Sequence, residues 1–340
     1  MKRALLKQIG ALAVVQTSRP SLPPGGVLVA MEAVAICRTD IKMVRRGHKD
    51  LVYPRVLGHE GVGVIVESEN PLFKAGVRVA VYPGSYCGAC NACKSGHTGR
   101  CGALHIYGFN KDGFFQTIIP FAEEETKSLV PIPLHLKNED AVLAEPLACC
   151  LSATDKFKQI SKGAALIVGA GAMGSLFAAL LQSEGWDCVI MADRDPRRLA
   201  GELPEGVMPL DVSRANVTER LREMKIAGEI DLVIPACSGG LSWPFWDVMK
   251  PGGCVSLFSG TDGEKPLIPV DINRLHYREI TLAGSYGCNK KDFDRALGML
   301  AGGGVDVSFL NTRRIPLTDI VKGMEMLEKH ETKKVIIDRF

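Results

Sequence analysis

The stretch Ala165-Leu-Ile-Val168-Gly169-Ala-Gly171-Ala-Met-Gly174-Ser175-Leu-Phe-Ala-Ala-Leu-Leu181 decides the fold of this 340-residue chain. A short apolar run enters a glycine turn and leaves as a helical segment. In such a turn Gly169 makes the tight bend, and Gly171 admits a pyrophosphate against backbone N–H groups at the helix N-terminus. Gly174 lets the helix pack closely on the strand, and Ala172 and Met173 complete the turn. A lone glycine fingerprint is weak, but here a strand precedes it, a helix follows it and an acid comes later. That acid is Asp193, at the end of the next apolar run, Cys188-Val-Ile-Met-Ala192. Its carboxylate suits both hydroxyls of an adenosine ribose and repels a 2′-phosphate, so NAD is favoured over NADP. Arg194, Arg197 and Arg198 follow directly and keep a phosphate contact open.

Outward from this turn, strand-like and helical segments alternate. Ile230-Asp-Leu-Val-Ile234 and Cys254-Val-Ser-Leu-Phe258 read as further buried strands, and Gly174 to Ser183 and Arg214 to Lys225 as helices. Alternation of this kind builds βαβ units, so a doubly wound parallel sheet, the α/β Rossmann arrangement, is expected. Before Gly163 the pattern differs. Runs such as Val27 to Val34, Gly61 to Glu67 and Val77 to Tyr82 are β-type and broken by Gly and Pro, so the N-terminal part is expected to be mostly β. A helix near Asp292 to Leu300 and a last strand-like run at Val335 to Ile337 end the chain.

Four cysteines stand close together in Cys87-Gly-Ala-Cys90-Asn-Ala-Cys93 and Cys101. Thiolates at such spacing suit a closed tetrahedral Zn2+ site. A disulfide framework is the weaker reading, because nothing else in the chain looks secreted. The N-terminus lacks the apolar core of a signal peptide, and no segment offers the roughly 20 apolar residues of a membrane span. Seven of the eleven cysteines lie outside the quartet, a load of thiols that suits a reducing cytoplasm. The formal net charge of +3 is too small to argue for nucleic acid.

Three further segments carry metal-type residues: Cys37-Arg38-Thr39-Asp40, Gly58-His59-Glu60 and Glu145-Pro146-Leu147. Each is bland alone. In order with the quartet, the glycine turn and Asp193, they resemble the zinc-dependent medium-chain alcohol dehydrogenases over essentially the whole chain. Glu145, where the alcohol dehydrogenases proper carry a second Cys, is similar to the sorbitol and threonine dehydrogenase branch.

The resemblance implies a GroES-like catalytic domain over residues 1–146, with the zinc lobe at about 84–104. It implies a Rossmann domain over 147–285 and a segment, 286–340, returning to the catalytic domain, with the active site in the cleft between the domains. Two zinc ions per chain are implied. One is structural, on Cys87, Cys90, Cys93 and Cys101; the other is catalytic, on Cys37 and His59 with Glu60 and Glu145 as nearby carboxylates. Asp40 would orient the ring of His59. Thr39 would start a proton relay, whose final step is open because Lys42 stands where many relatives have a His. Arg38 matches a position that reaches the cofactor pyrophosphate, and a surface arginine is the rival reading. Cys149 and Cys150 lie close enough to Glu145 in sequence to be rival ligands, but they follow it on an apolar helix and are read as core.

The implied activity is oxidation of a secondary alcohol, such as a polyol, sugar, cyclitol or amino alcohol, or reduction of the matching ketone. The basic stretch Arg45, Arg46, His48 and Lys49 fits a phosphorylated or acidic substrate, or equally a solvated face. A zinc-free quinone or enoyl reductase lacks the quartet and the Cys37/His59 pair, and a non-catalytic zinc- and nucleotide-binding sensor would hold one zinc. A homodimer or homotetramer is expected, paired through a Rossmann edge strand such as the one near Cys254 to Ser259.

Overall fold

A computed structural model describes residues 1–237, 245–260, 267, 270–310 and 312–340. The chain divides into two compact units. The first comprises Met1–Ala148, Cys288–Gly303 and Asn311–Phe340, and the second comprises Cys149–Gly287 with Gly304–Leu310. The final segment is therefore shared: residues 304–310 group with the second unit and its flanks with the first.

In the first unit a seven-stranded sheet centres on Val27–Ile36. This strand is rich in Val and Ala and buried along nearly its whole length, because it has partners on both sides. Glu60–Ser68 runs antiparallel to it on one side, and Lys334–Arg339 and Ile118–Phe121 on the other. Register decides which residues meet at one end of this sheet. Ala35 opposes Glu60, and Val335 opposes Ile36. Three strands thus bring Cys37, His59 with Glu60, and Lys334 to the same end. Beneath them lies an apolar core that includes Val29, Val34, Val81, Tyr107, Phe114 and Ile337.

The second unit holds six parallel strands. Their order is Val207–Asp211, Cys188–Asp193, Ala164–Val168, Ile230–Pro235, Met249–Leu257 and Thr281–Gly284. The order reverses on either side of Ala164–Val168, the switch point where a doubly wound sheet binds ligands outside its carboxyl ends. One expectation is corrected. The run near Cys254 to Ser259 belongs to an interior strand, hydrogen-bonded on both sides, and the sheet edges are Val207–Asp211 and Thr281–Gly284.

Helix starts follow local chemistry. The expected helix from Arg214 begins at Val217, where Asn216 accepts from the N–H of Glu219 at 2.9 Å and Glu219 reaches back to the N–H of Asn216 at 3.2 Å. Such a reciprocal cap outweighs the apolar pattern in fixing the first turn. Among the described residues no helix is long and apolar enough to cross a membrane.

Candidate active site

Cys37 follows the central strand Val27–Ile36 directly and is the N-cap of the helix Arg38–Arg46. Asp40, in the first turn of that helix, is fully buried and accepts from the N–H of Cys37 at 2.9 Å and of Gly58 at 3.2 Å. The same carboxylate lies 3.4 Å from Nδ1 of His59. One aspartate therefore ties together both loops that carry the metal-type residues. It faces Nδ1, which leaves Nε2 of His59 for a ligand. Burial opposes a charge on His59, but Asp40, helped by Cys37, holds its pKa well above the usual value. Phe109 packs on the His59 ring at 5.5 Å between centroids and on His48 at 5.3 Å.

Donor atoms of Cys37, His59 and Glu60 lie within 4.8 Å of one another. A soft thiolate, an imidazole and a carboxylate in that space match a catalytic zinc site that keeps an open position. Glu145 is not part of this tight group. Its carboxylate comes within 4.8 Å of the Cys288 thiol, although its charge still reaches Lys334. Within the helix Ala144–Thr154 the Cys149 thiol also lies within 4.8 Å of the Glu145 carboxylate, as the rival-ligand reading requires, whereas Cys150 is fully buried.

Nothing in the local sequence marks Lys334 as part of a site. Its Nζ stands 2.7 Å from Oε1 of Glu60, and both side chains are almost fully buried. Burial opposes the ammonium charge, yet Glu60, Cys37 and Glu145 hold its pKa above the usual range. The lysine thus places a positive charge among three acidic groups.

Thr39 is half-buried and Lys42 is exposed one turn further along the same helix. The Arg38 guanidinium donates to the carbonyl of Leu327 at 2.8 Å and meets Nδ1 of His330 at 2.5 Å. It is engaged by the end of the helix Ile320–Glu328.

The quartet forms a second group. Its sulfurs are 3.5 Å apart for Cys87–Cys101, and 3.9 Å for Cys87–Cys93 and Cys90–Cys101. An ion bonded at about 2.3 Å to four sulfurs at tetrahedral corners sets them about 3.8 Å apart, so the donor set fits zinc. A disulfide, at about 2.05 Å, is excluded for these pairs. N–H groups of Ala89 and Cys90 hold the Cys87 thiol down at about 6, while desolvation pushes Cys93 up to about 12.

In the second unit Gly169 has φ +114°, which only glycine adopts without strain. A Cβ on Gly174 would stand 1.8 Å from the carbonyl oxygen of Gly169, so the helix packs directly on the turn. A Cβ on Gly171 would meet nothing within 4 Å, which leaves space at the helix N-terminus for a dinucleotide phosphate. Asp193 accepts from the N–H of Ala170 and of Asp195, each at 2.8 Å, and lies 3.3 Å from Arg198. The acid therefore also braces the glycine turn. Arg197 pairs with Asp195, and Arg194 is exposed.

A mostly β unit bearing the four-cysteine group and the Cys37, His59 and Glu60 group, in one chain with a glycine-turn parallel sheet, is the architecture of a zinc-binding dehydrogenase. Residues 23–134 match the family described as alcohol dehydrogenase GroES-like domain, and residues 165–237 match ketopantoate reductase PanE/ApbA. D-altritol 5-dehydrogenase of Agrobacterium fabrum is 32% identical over 309 residues, covering 88% of each chain. L-threonine 3-dehydrogenase of Rhizobium rhizogenes is 27% identical, covering 94% of this chain and 93% of its own. A Sinorhizobium meliloti protein whose crystal structure was solved bound to NADP is 27% identical at TM-score 0.86, covering 99% of this chain and 98% of its own. The chain belongs to the zinc-dependent medium-chain alcohol dehydrogenase family, in its sorbitol and threonine dehydrogenase-like branch, and is an oxidoreductase acting on CH–OH groups.

Proposed function

We propose that the protein is a zinc- and NAD-dependent dehydrogenase that interconverts a hydroxyl-rich secondary alcohol and its ketone. The observation that carries this reading is the grouping of Cys37, His59 and Glu60 around the buried Asp40. When bound, zinc would supply a Lewis acid for the substrate hydroxyl and the nicotinamide a hydride acceptor. Cys37 and His59 would hold the ion, with Glu60 as the carboxylate in the same group and Glu145 as a second carboxylate outside it. Asp40 fixes the imidazole and the start of the ligand-bearing helix. Thr39 takes up the hydroxyl proton as its own passes on toward the ribose hydroxyls or solvent, where the exposed Lys42 stands on the same helix face. A polyol or amino alcohol substrate is supported by the altritol and threonine dehydrogenases among the relatives. Purified protein offered polyols, amino alcohols and sugar phosphates, with NAD and NADP in parallel, should form NADH with at least one of them. No turnover with any alcohol by zinc-loaded protein would overturn the reading.

Asp193 supports NAD over NADP, because its carboxylate repels a 2′-phosphate. Asp193→Ala is expected to weaken NAD by about tenfold or more in kcat/KM and to improve NADP, since Arg198 is then released toward a phosphate. Steady-state kinetics with both cofactors check this, and an unchanged NAD preference would contradict it.

We assign the Cys87, Cys90, Cys93 and Cys101 site to a structural zinc, because four thiolates leave no position for substrate. Cys93→Ser should lose that ion and lower thermal stability while keeping the ion on Cys37 and measurable turnover. A folded Cys93→Ser protein with no activity at all would contradict the assignment. We further propose a cytoplasmic homodimer or homotetramer. Sedimentation at several protein concentrations checks the assembly.

A further inference from the structure

We propose that the turn Thr98–Arg100 is a strut through which the four-cysteine lobe positions the segment 288–290, with Thr98 and Tyr82 as positioning residues for the reaction. The proposal rests on the functional reading above and deepens it. Thr98 is buried, and its Oγ1 accepts from the N–H of Lys290 at 2.9 Å, across 192 residues of sequence. The same hydroxyl lies 3.3 Å from the hydroxyl of Tyr82, which donates to the carbonyl of Cys288 at 3.0 Å. The N–H of Gly99 donates to Oδ1 of Asn289 at 3.1 Å, and a Cβ on Gly99 would stand 3.1 Å from the Cys288 carbonyl oxygen. Three consecutive residues, Cys288, Asn289 and Lys290, are thus each held from the lobe side.

Both ends of this contact lead to a metal-type group. Cys101 donates its N–H to the carbonyl of Thr98 at 3.1 Å, and its sulfur belongs to the quartet. An ion that fixes Cys101 therefore fixes the turn. At the other end the Cys288 thiol is within 4.8 Å of the Glu145 carboxylate, and Asn289 caps the helix Lys290–Ala301. The ring of Phe293 in that helix packs on Tyr82 with centroids 5.8 Å apart. Hydrogen bonds are directional, so an ordered turn fixes Asn289 and Lys290, and with Tyr82 it sets the adjoining Cys288 near Glu145. Loss of the lobe ion relaxes four thiols, then the turn, then the segment beside Glu145.

The N–H of Lys290 is itself the donor to Thr98, so its hydrogen exchange reads the strut directly. Thr98→Ala and Tyr82→Phe are expected to speed exchange over residues 288–292 by about tenfold, with zinc content at the wild-type level. In the same variants kcat/KM should fall by about tenfold, mainly through kcat, and Thr98→Ser should restore both readouts. Partial removal of zinc from the lobe of wild-type protein by a chelator should raise exchange over the same residues. Exchange over residues 288–292 that stays at the wild-type rate in Tyr82→Phe and in chelated protein overturns the proposal, even if Thr98→Ala fails to fold. Exchange is read without substrate. A wild-type protein with no dehydrogenase turnover would therefore sink the functional reading and leave the strut to stand or fall separately.

Discussion

Replacing Cys37 by alanine is expected to lower kcat/KM by about a thousandfold or more, the loss expected when a group worth about 4 kcal/mol of transition-state stabilisation goes. Two effects combine. The ion loses its thiolate, and the helix Arg38–Arg46 keeps its cap only through Asp40, because the backbone N–H of residue 37 still donates to that carboxylate. The fold should therefore survive while the chemistry is lost. Circular dichroism and cofactor binding at wild-type levels beside abolished turnover are the expected result. Turnover within about tenfold of wild type would remove Cys37 from the reacting centre.

Lys334→Met carries the largest expected effect on stability. The substitution keeps the length and apolar stem of the side chain but leaves the Glu60 carboxylate buried without its ammonium partner. Removing one member of a buried pair costs about 3–5 kcal/mol, more than the pair contributes relative to a packed apolar replacement. Lys334→Met with Glu60→Gln should recover most of that loss, because no uncompensated charge then remains. Urea unfolding of wild type, both single variants and the double variant checks this. A Lys334→Met protein within about 0.5 kcal/mol of wild type would show that Glu60 is neutralised by another group. Activity should fall in both single variants, since Glu60 stands within ligand distance of Cys37 and His59.

The parts of this protein that are legible in its sequence are those written in short range. The strand, glycine turn and helix around Gly169 succeed each other without a gap, and the steric reason for Gly174, where a Cβ would stand 1.8 Å from the carbonyl oxygen of Gly169, acts within six residues. The quartet is equally local, since Cys87, Cys90 and Cys93 fall within one short stretch that runs into the helix Asn91–Lys94. Element ends differ by a few residues where a cap decides them, as at Asn216.

Long-range order is not legible in the same way. Lys334 sits in Glu331-Thr-Lys-Lys334, a run that reads as a solvated face, and its partner is 274 residues away. Only the pairing of Val335 with Ile36 turns that lysine toward Glu60. Strand order is hidden for the same reason. Cys254 to Ser259 reads like any buried parallel strand, and its neighbours on both sides are set by the tertiary winding of the sheet. Val207–Asp211 does not read as a strand because Pro209 and Asp211 interrupt its apolar pattern at a sheet edge, where such residues are tolerated.

Zinc counted by mass spectrometry in wild type, Cys37→Ala and Cys93→Ser bears most directly on the central claim that the Cys37 group and the four-cysteine group each hold one ion, with different tasks. The expected result is two ions per wild-type chain and one in each variant, with the Cys93→Ser protein still forming NADH. A single ion per wild-type chain that survives unchanged in Cys37→Ala would contradict it.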